Sequence, residues 1–191
     1  MLRRILTPLL IALSALTLTL AGAAPATAAP AERSQPLRQT VLYYDASRAA
    51  EYTSAVSSAV RVWNYSVSNV RLEPAPVGRH AEIRIIADNG WPRAQLGPVR
   101  PGGQVVVWMG RQGTAAGYDA VRIAAHELGH SLGLPDAKPG PCSSLMSGST
   151  GGVNCTNPYP DAYERSRVEA NYGSGLTGQR AADGQLMVDR A

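Results

Sequence analysis

The stretch that most constrains this chain is His126-Glu127-Leu128-Gly129-His130-Ser131-Leu132-Gly133-Leu134-Pro135-Asp136, which reads H-E-x-x-H-x-x-G-x-x-D. On a helix, positions four apart share a face, so His126 and His130 aim their imidazoles at one point. Two neutral imidazoles one turn apart make half of a tetrahedral zinc site. Glu127 adjoins the first ligand, where its carboxylate can serve as general base towards a water. Gly133 can take a left-handed conformation and stop the helix, and Pro135 discourages a restart. The chain can then double back and bring Asp136 in as third ligand, leaving a fourth position open for water. The bland reading, two histidines and an acid on a helix by chance, has to explain the placed glycine and the third acid as well. The apolar run Val121-Arg122-Ile123-Ala124-Ala125 puts the motif on a half-buried helix, as such chemistry requires.

These residues resemble the metzincin clan of zinc endopeptidases. An aspartate as third ligand matches one branch, the snapalysins, small neutral metalloproteases secreted by actinomycete bacteria. The resemblance covers about residues 41 to 173. Besides the motif, it rests on Gly140-Pro141-Cys142-Ser143-Ser144-Leu145-Met146-Ser147-Gly148, on Cys155-Thr156-Asn157-Pro158-Tyr159-Pro160, and on Glu164-Arg165-Ser166-Arg167-Val168. It implies that Met146 is the methionine of the clan's Met-turn, beneath the metal. It further implies that the segment from Met146 through Ser147 and Gly148 walls the pocket for the residue after the scissile bond, with an aromatic favoured there. An edge strand, for which residues 93 to 97 are the candidate, would pair with extended substrate. Snapalysins also bind a structural calcium ahead of the active helix, and Asp119 matches one of its ligand positions. The partner position is Val121, which offers only its carbonyl. Asp119 suits a helix N-cap equally well, and both readings stay open. After Asp136 the family commonly carries His-Tyr. This chain has Ala137-Lys138.

Residues 1 to 29 read as a secretory signal peptide: Arg3 and Arg4 for the charged region, Leu9 to Leu20 for the apolar one, and Ala26-Thr27-Ala28 as cleavage site, with Ala23-Ala24-Pro25-Ala26 as the alternative. Ser14, Thr17 and Thr19 break the apolar stretch, which argues against a membrane anchor. Residues 30 to 40 read as a short pro-segment or leader. Cys142 and Cys155 are the only cysteines, and in a secreted chain an even pair reads as one disulfide. In the chain-entropy model a bridge closing a loop of that size contributes about 3 kcal/mol.

The metalloprotease domain is expected at 41 to 173. Strands are expected at Val41 to Tyr44, Val70 to Glu73, Ala81 to Ala87, an irregular edge between Trp91 and Val99, and Gln104 to Met109. Ser47 is the expected N-cap of an amphipathic helix carrying Tyr52, Val56, Ala59, Val60, Trp63 and Val67, with Trp63 in the core. Residues 110 to 116 read as a loop, Asp161 to Tyr172 as a last helix, and 174 to 191 as a poorly ordered tail. His80 is the only rival histidine and lacks any spacing logic, so a surface position is expected.

The fold class expected is α+β, zincin or metzincin-like: a twisted mixed five-stranded sheet, two long helices and a small C-terminal subdomain. The function expected is a secreted zinc endopeptidase acting as a monomer on extracellular proteins or peptides, with one catalytic zinc and calcium as an open second metal. The net charge of +4 comes from scattered arginines with no basic block. It speaks for solubility and against nucleic acid, and no membrane partner is expected once the signal is removed. Two other classes remain: a zinc-binding module without catalysis, against which Glu127 argues, and an inhibitor or structural protein that kept a protease fold. The sequence points to no oxyanion donor.

Overall fold

The computed structural model describes residues 39–173 and 184–190. The signal segment, nearly all of the leader and residues 174–183 of the expected tail lie outside the described residues.

Strand β1, Thr40–Arg48, and strand β2, Val70–Pro74, flank helix α1, Thr53–Ser66. Their parallel pairing follows from that helical crossover. Strand β3, Ile83–Asp88, joins β1 on its other side, and β5, Val105–Gly110, joins β3, both parallel. The short β4, Arg93–Gln95, then pairs antiparallel with β5. A sixth strand, β6, Leu186–Val188, lies antiparallel outside β4, so the order is β2-β1-β3-β5-β4-β6.

The sheet is therefore mixed, as expected, but it has six strands where five were expected. The sixth comes from residues assigned to an unstructured tail. Gln185-Leu186-Met187-Val188 is a short apolar run that finds a partner only across the fold, in β4. Three other expectations give way. Ser47 does not cap α1, because β1 continues through it to pair Arg48 with Ile86 after a bulge. Ser47 donates its N–H to Asp45 instead (2.8 Å). The chain enters α1 through a 3-10 turn, Ala50–Tyr52, and no side chain caps the helix. Residues Arg111–Ala115 form a short helix α2, not a loop, tied back by the fork of Arg111 on Glu51 (2.6 and 3.0 Å). A single turn of mixed polar residues shows no periodicity to detect.

Helix α3, Ala120–Ser131, packs beside α1. The α1 stripe of Val56, Ala59, Val60 and Trp63 is buried. Trp63 is wholly buried, as its phase predicts, and its indole N–H donates to the Ala125 carbonyl (2.8 Å). A buried indole needs such a partner, and this one fixes the roll of α3 against α1. Beyond α3 the chain forms a loop region ending in helix α4, Ala162–Tyr172. Asp161 and Glu164 make a reciprocal capping box at its start. Its far end is moored by Asn171 to the Leu132 carbonyl (2.9 Å) and by the Tyr172 hydroxyl to Val99 (2.8 Å).

Candidate metal centre

Helix α3 is held at both ends, and this places its histidines. Asp119 is its N-cap, accepting from the Arg122 N–H (2.8 Å). At the other end Gly133, at φ +95°, closes a Schellman motif: Leu134 N–H donates to Gly129 (3.0 Å) and Gly133 N–H to His130 (2.9 Å). The segment following β4 also bonds the helix end, with Gly97 donating to His130 (2.8 Å) and Val99 to Ser131 (3.0 Å). A Cβ at Gly97 would lie 2.0 Å from the Ser131 oxygen, so only glycine permits this approach.

His126 Nδ1 faces the Leu145 carbonyl (3.0 Å) and His130 Nδ1 the Leu134 carbonyl (2.7 Å). A carbonyl can only accept, so each Nδ1 donates and each Nε2 carries a free lone pair. The chain turns after Gly133 and brings Asp136 to them: its Oδ1 lies 3.3 Å from His126 Nε2 and 3.5 Å from His130 Nε2. These three atoms, and both Glu127 carboxylate oxygens, are buried without a hydrogen-bond partner. Orphaned buried donors and acceptors are costly, so a convergent set of them asks for a ligand. Zinc bonds of about 2.0–2.2 Å in a tetrahedron space their donors about 3.3–3.6 Å apart, and the observed separations fit that ion.

Burial would raise the Asp136 carboxyl, but its contacts with His126 and His130 outweigh this and hold it well below the carboxylate range. Burial pushes Glu127 up to about 8, opposed by His126. Burial and the neighbouring His126 lower His130. For His126, burial lowers, yet the Asp136 contact and the Glu127 charge leave it raised.

Beneath the cage lies the turn containing Met146. Two buried side chains hold it from opposite sides. Arg122 of α3 donates to the carbonyls of Asn157 (2.7 Å) and Ser144 (2.9 Å) and to the Ser147 hydroxyl (2.9 Å). Glu164 of α4 accepts from Met146 N–H (2.8 Å), Leu145 N–H (3.1 Å) and the Ser144 hydroxyl (2.7 Å). One residue takes the turn's carbonyls and the other its amides. A Cβ at Gly129 would come within 2.8 Å of the Met146 sulfur, so the glycine inside the motif lets the turn sit directly against the helix. Met146 and Ser147 are buried. Cys142 and Cys155 are joined in the expected disulfide. Neither Arg122 nor Glu164 was assigned a role from sequence, although the D-x-x-E capping box at 161–164 was visible there.

Gly148 and Ser149, just past the turn, line a small cavity of about 20 Å³ with Tyr118, Ile123, Trp91 and His126. Asp189, following β6, stands at the same cavity. Its carboxylate lies within 4.8 Å of donor atoms of His126 and Glu127. Lys138 contacts Asp189 and lies 3.5 Å from Asp136 Oδ1. Sequence reasoning found neither pairing, since nothing local links position 189 to 138 or 126.

Of the remaining expectations, Asp119 is the helix cap. Among the described residues it belongs to no cluster of metal-binding side chains, so the calcium reading has no support in the structure. His80 is exposed, bonded through Nε2 to the Gly103 carbonyl (2.9 Å), and far from the cage in its partners. Residues 93–95 form β4 as expected, but β4 is not the sheet edge, because β6 covers it.

Residues 39–175 match the profile of the Streptomyces extracellular neutral proteinase (M7) family. An extracellular small neutral protease of Streptomyces caespitosus is 41% identical over 132 residues, 69% of this chain and 96% of that protein. One of Streptomyces lividans is 41% identical over 145 residues, 76% of this chain, which spans 61% of that longer protein. Among solved structures, the hatching-enzyme zinc protease of Oryzias latipes aligns with a TM-score of 0.49 at 17% identity, over 70% of this chain and 90% of that one. The match over most of the described domain, at this identity, makes the chain a member of the M7 family of extracellular neutral proteinases, and so a secreted metalloendopeptidase.

Proposed function

We propose that His126, His130 and Asp136 hold one zinc ion and that Glu127 is the general base of peptide-bond hydrolysis on extracellular proteins. The observation carrying this is the set of three buried, unpartnered lone-pair atoms converging at zinc spacing, with an unpartnered carboxylate beside them. Bound zinc would polarise the scissile carbonyl and make water acidic enough to be deprotonated near neutral pH. The chain's own part is positional and protonic. The Leu145 and Leu134 carbonyls fix the imidazole tautomers. The cation's field would draw the Glu127 carboxyl down from about 8, leaving it ionised and ready to accept a proton. Glu127 then returns that proton to the leaving amine. The cavity beside His126, walled by Gly148 and Ser149 with Tyr118 and Trp91 nearby, is the candidate pocket for the side chain after the scissile bond, and at about 20 Å³ it has to widen before an aromatic ring can enter.

Glu127→Gln tests this. The variant should keep one zinc per chain and its fold while losing nearly all hydrolysis of casein. Cleavage at a rate near wild type would remove Glu127 from the role.

A further inference from the structure

Strand β6 occupies the place where the substrate of such an enzyme would lie. It runs antiparallel along β4, with Leu186 opposite Gln95, Met187 opposite Ala94 and Val188 opposite Arg93. Bonds at both ends extend the pairing: Leu96 N–H donates to the Gln185 carbonyl (2.8 Å) and Asp189 N–H to the Pro92 carbonyl (2.9 Å). The same strand's continuation at Gly97 and Val99 is bonded to the end of the histidine helix. A peptide laid on β4 is thus carried towards the metal cage. This one delivers an acid there: Asp189 is buried, with its carboxylate within 4.8 Å of donors on His126 and Glu127. Lys138, the chain's only lysine, clamps it to the Asp136 side of the cage. Ser149, on the cavity wall, closes the other side, its N–H donating to Asp189 Oδ1 (3.2 Å) and its hydroxyl to the Arg190 carbonyl (2.6 Å).

A structural edge strand would need none of this. A surface edge is ordinarily guarded by outward charges or irregularity, not by a buried acid placed beside His126 and Glu127. Residues 185–190 also lie beyond the family match, which ends at 175. Their clamp, Lys138, stands where the family's usual residue is absent.

We propose that residues 185–190 are a built-in competitor of substrate, pairing with β4 and presenting the Asp189 carboxylate to the zinc site, so that a protein substrate is bound only where this segment is displaced. The proposal rests on the proposed function of the cage and on β4, whose continuation is bonded to the histidine helix, being the strand that leads substrate to it. A carboxylate offered by the same chain needs only a weak intrinsic affinity, because its effective concentration is that of a tethered ligand.

Two measurements test it. The first does not depend on catalysis. In full chains carrying Glu127→Gln, a fluorescent peptide of sequence Gly-Gln-Leu-Met-Val-Asp-Arg is titrated against the chain with its own segment intact and against one also carrying Met187→Pro. Proline removes an N–H and breaks the short strand. Fluorescence anisotropy should show at least tenfold tighter binding where the segment is broken, and the gain should be lost for a peptide with Asn in place of Asp. Equal binding to both chains would overturn the proposal. The second uses the zinc-loaded active chain and a short chromogenic peptide. Asp189→Asn and Met187→Pro should each lower KM severalfold with no fall in kcat, whereas a merely structural strand would give lower kcat and a lower melting temperature. An unchanged or raised KM overturns the proposal. Should every form prove inactive, the protease reading fails by itself and the anisotropy result still decides the segment.

Discussion

Glu164 offers the sharpest test of how the fold supports the site. Its carboxylate is buried and accepts four bonds: Oε1 from the Ser144 hydroxyl (2.7 Å) and Met146 N–H (2.8 Å), Oε2 from Asp161 N–H (2.7 Å) and Leu145 N–H (3.1 Å). Glu164→Gln keeps the shape but turns one oxygen into a donor. The least damaging placement puts the amide nitrogen at the Oε1 position, where the Ser144 hydroxyl can rotate and accept. Met146 N–H is then left facing another donor. An orphaned buried donor costs about 1–3 kcal/mol. Loss of the charge weakens each of the other three bonds by roughly 0.5 kcal/mol. The sum is about 2.5–4.5 kcal/mol, a large share of the stability of a domain this size.

The consequence for the metal follows from the same turn. The Leu145 carbonyl holds His126 Nδ1, so freeing the Leu145–Met146 backbone frees the imidazole. Loss of such an outer partner costs roughly 10–100-fold in metal affinity. Urea denaturation of the metal-free protein, followed by tryptophan fluorescence, gives the first number, and zinc titration against a chelator gives the second. A stability loss below about 1 kcal/mol together with unchanged zinc affinity would refute the claim that Glu164 holds the turn.

Asp136→Ala should weaken zinc at least tenfold and abolish activity while His80→Ala changes neither, checked by zinc stoichiometry and a casein assay; the reverse pattern would move the third ligand. Replacing Cys142 and Cys155 by serine should lower stability by about 3 kcal/mol in a denaturation midpoint experiment, because an otherwise glycine-rich loop gains freedom when unfolded. Glu127 ionises at about 8 in the metal-free fold against an ordinary value of 4.5. The raised value means the native state holds the proton longer, so this contribution to stability is present below pH about 4.5 and is lost as pH rises towards 8. Metal-free wild type should therefore weaken relative to metal-free Glu127→Gln across that range, measured as melting temperature against pH, and identical profiles would contradict the assigned burial.

Much of the fold was legible because its signals are local. Trp63 lies in phase with Val56, Ala59 and Val60, so the 3.6-residue period alone buried it. Asp119, Gly133 and Asp161 are termini chemistry, readable from one or two neighbours. The failures share the opposite character. Ser47 is a good cap by composition, but β1 gains more from pairing with β3 through Arg48 than α1 gains from an earlier start. The α2 turn is tied to the rest of the fold by Arg111 on Glu51, sixty residues earlier, and no window of sequence contains both.

The cage divides in the same way. His126, His130 and Glu127 are set by helix geometry within five residues, and Asp136 by a turn that Gly133 makes compulsory, so spacing specified them. What surrounds them is specified by contact. Arg122 looks like an interruption of an apolar run until the carbonyls of residues 144 and 157 are placed around it. Glu164 is the N3 partner in the capping box of Asp161, and only the fold shows that the same carboxylate also carries the Met146 turn. Buried polar residues must find partners, so an arginine in an apolar stripe or an acid in a capping box before a helix poor in other apolar anchors is itself a signal that something distant needs a donor or an acceptor. Lys138 and Asp189 obey the same rule at longer range. Lys138, beside the carboxylate proposed as third ligand, takes a second anion of its own in Asp189, about fifty residues further on.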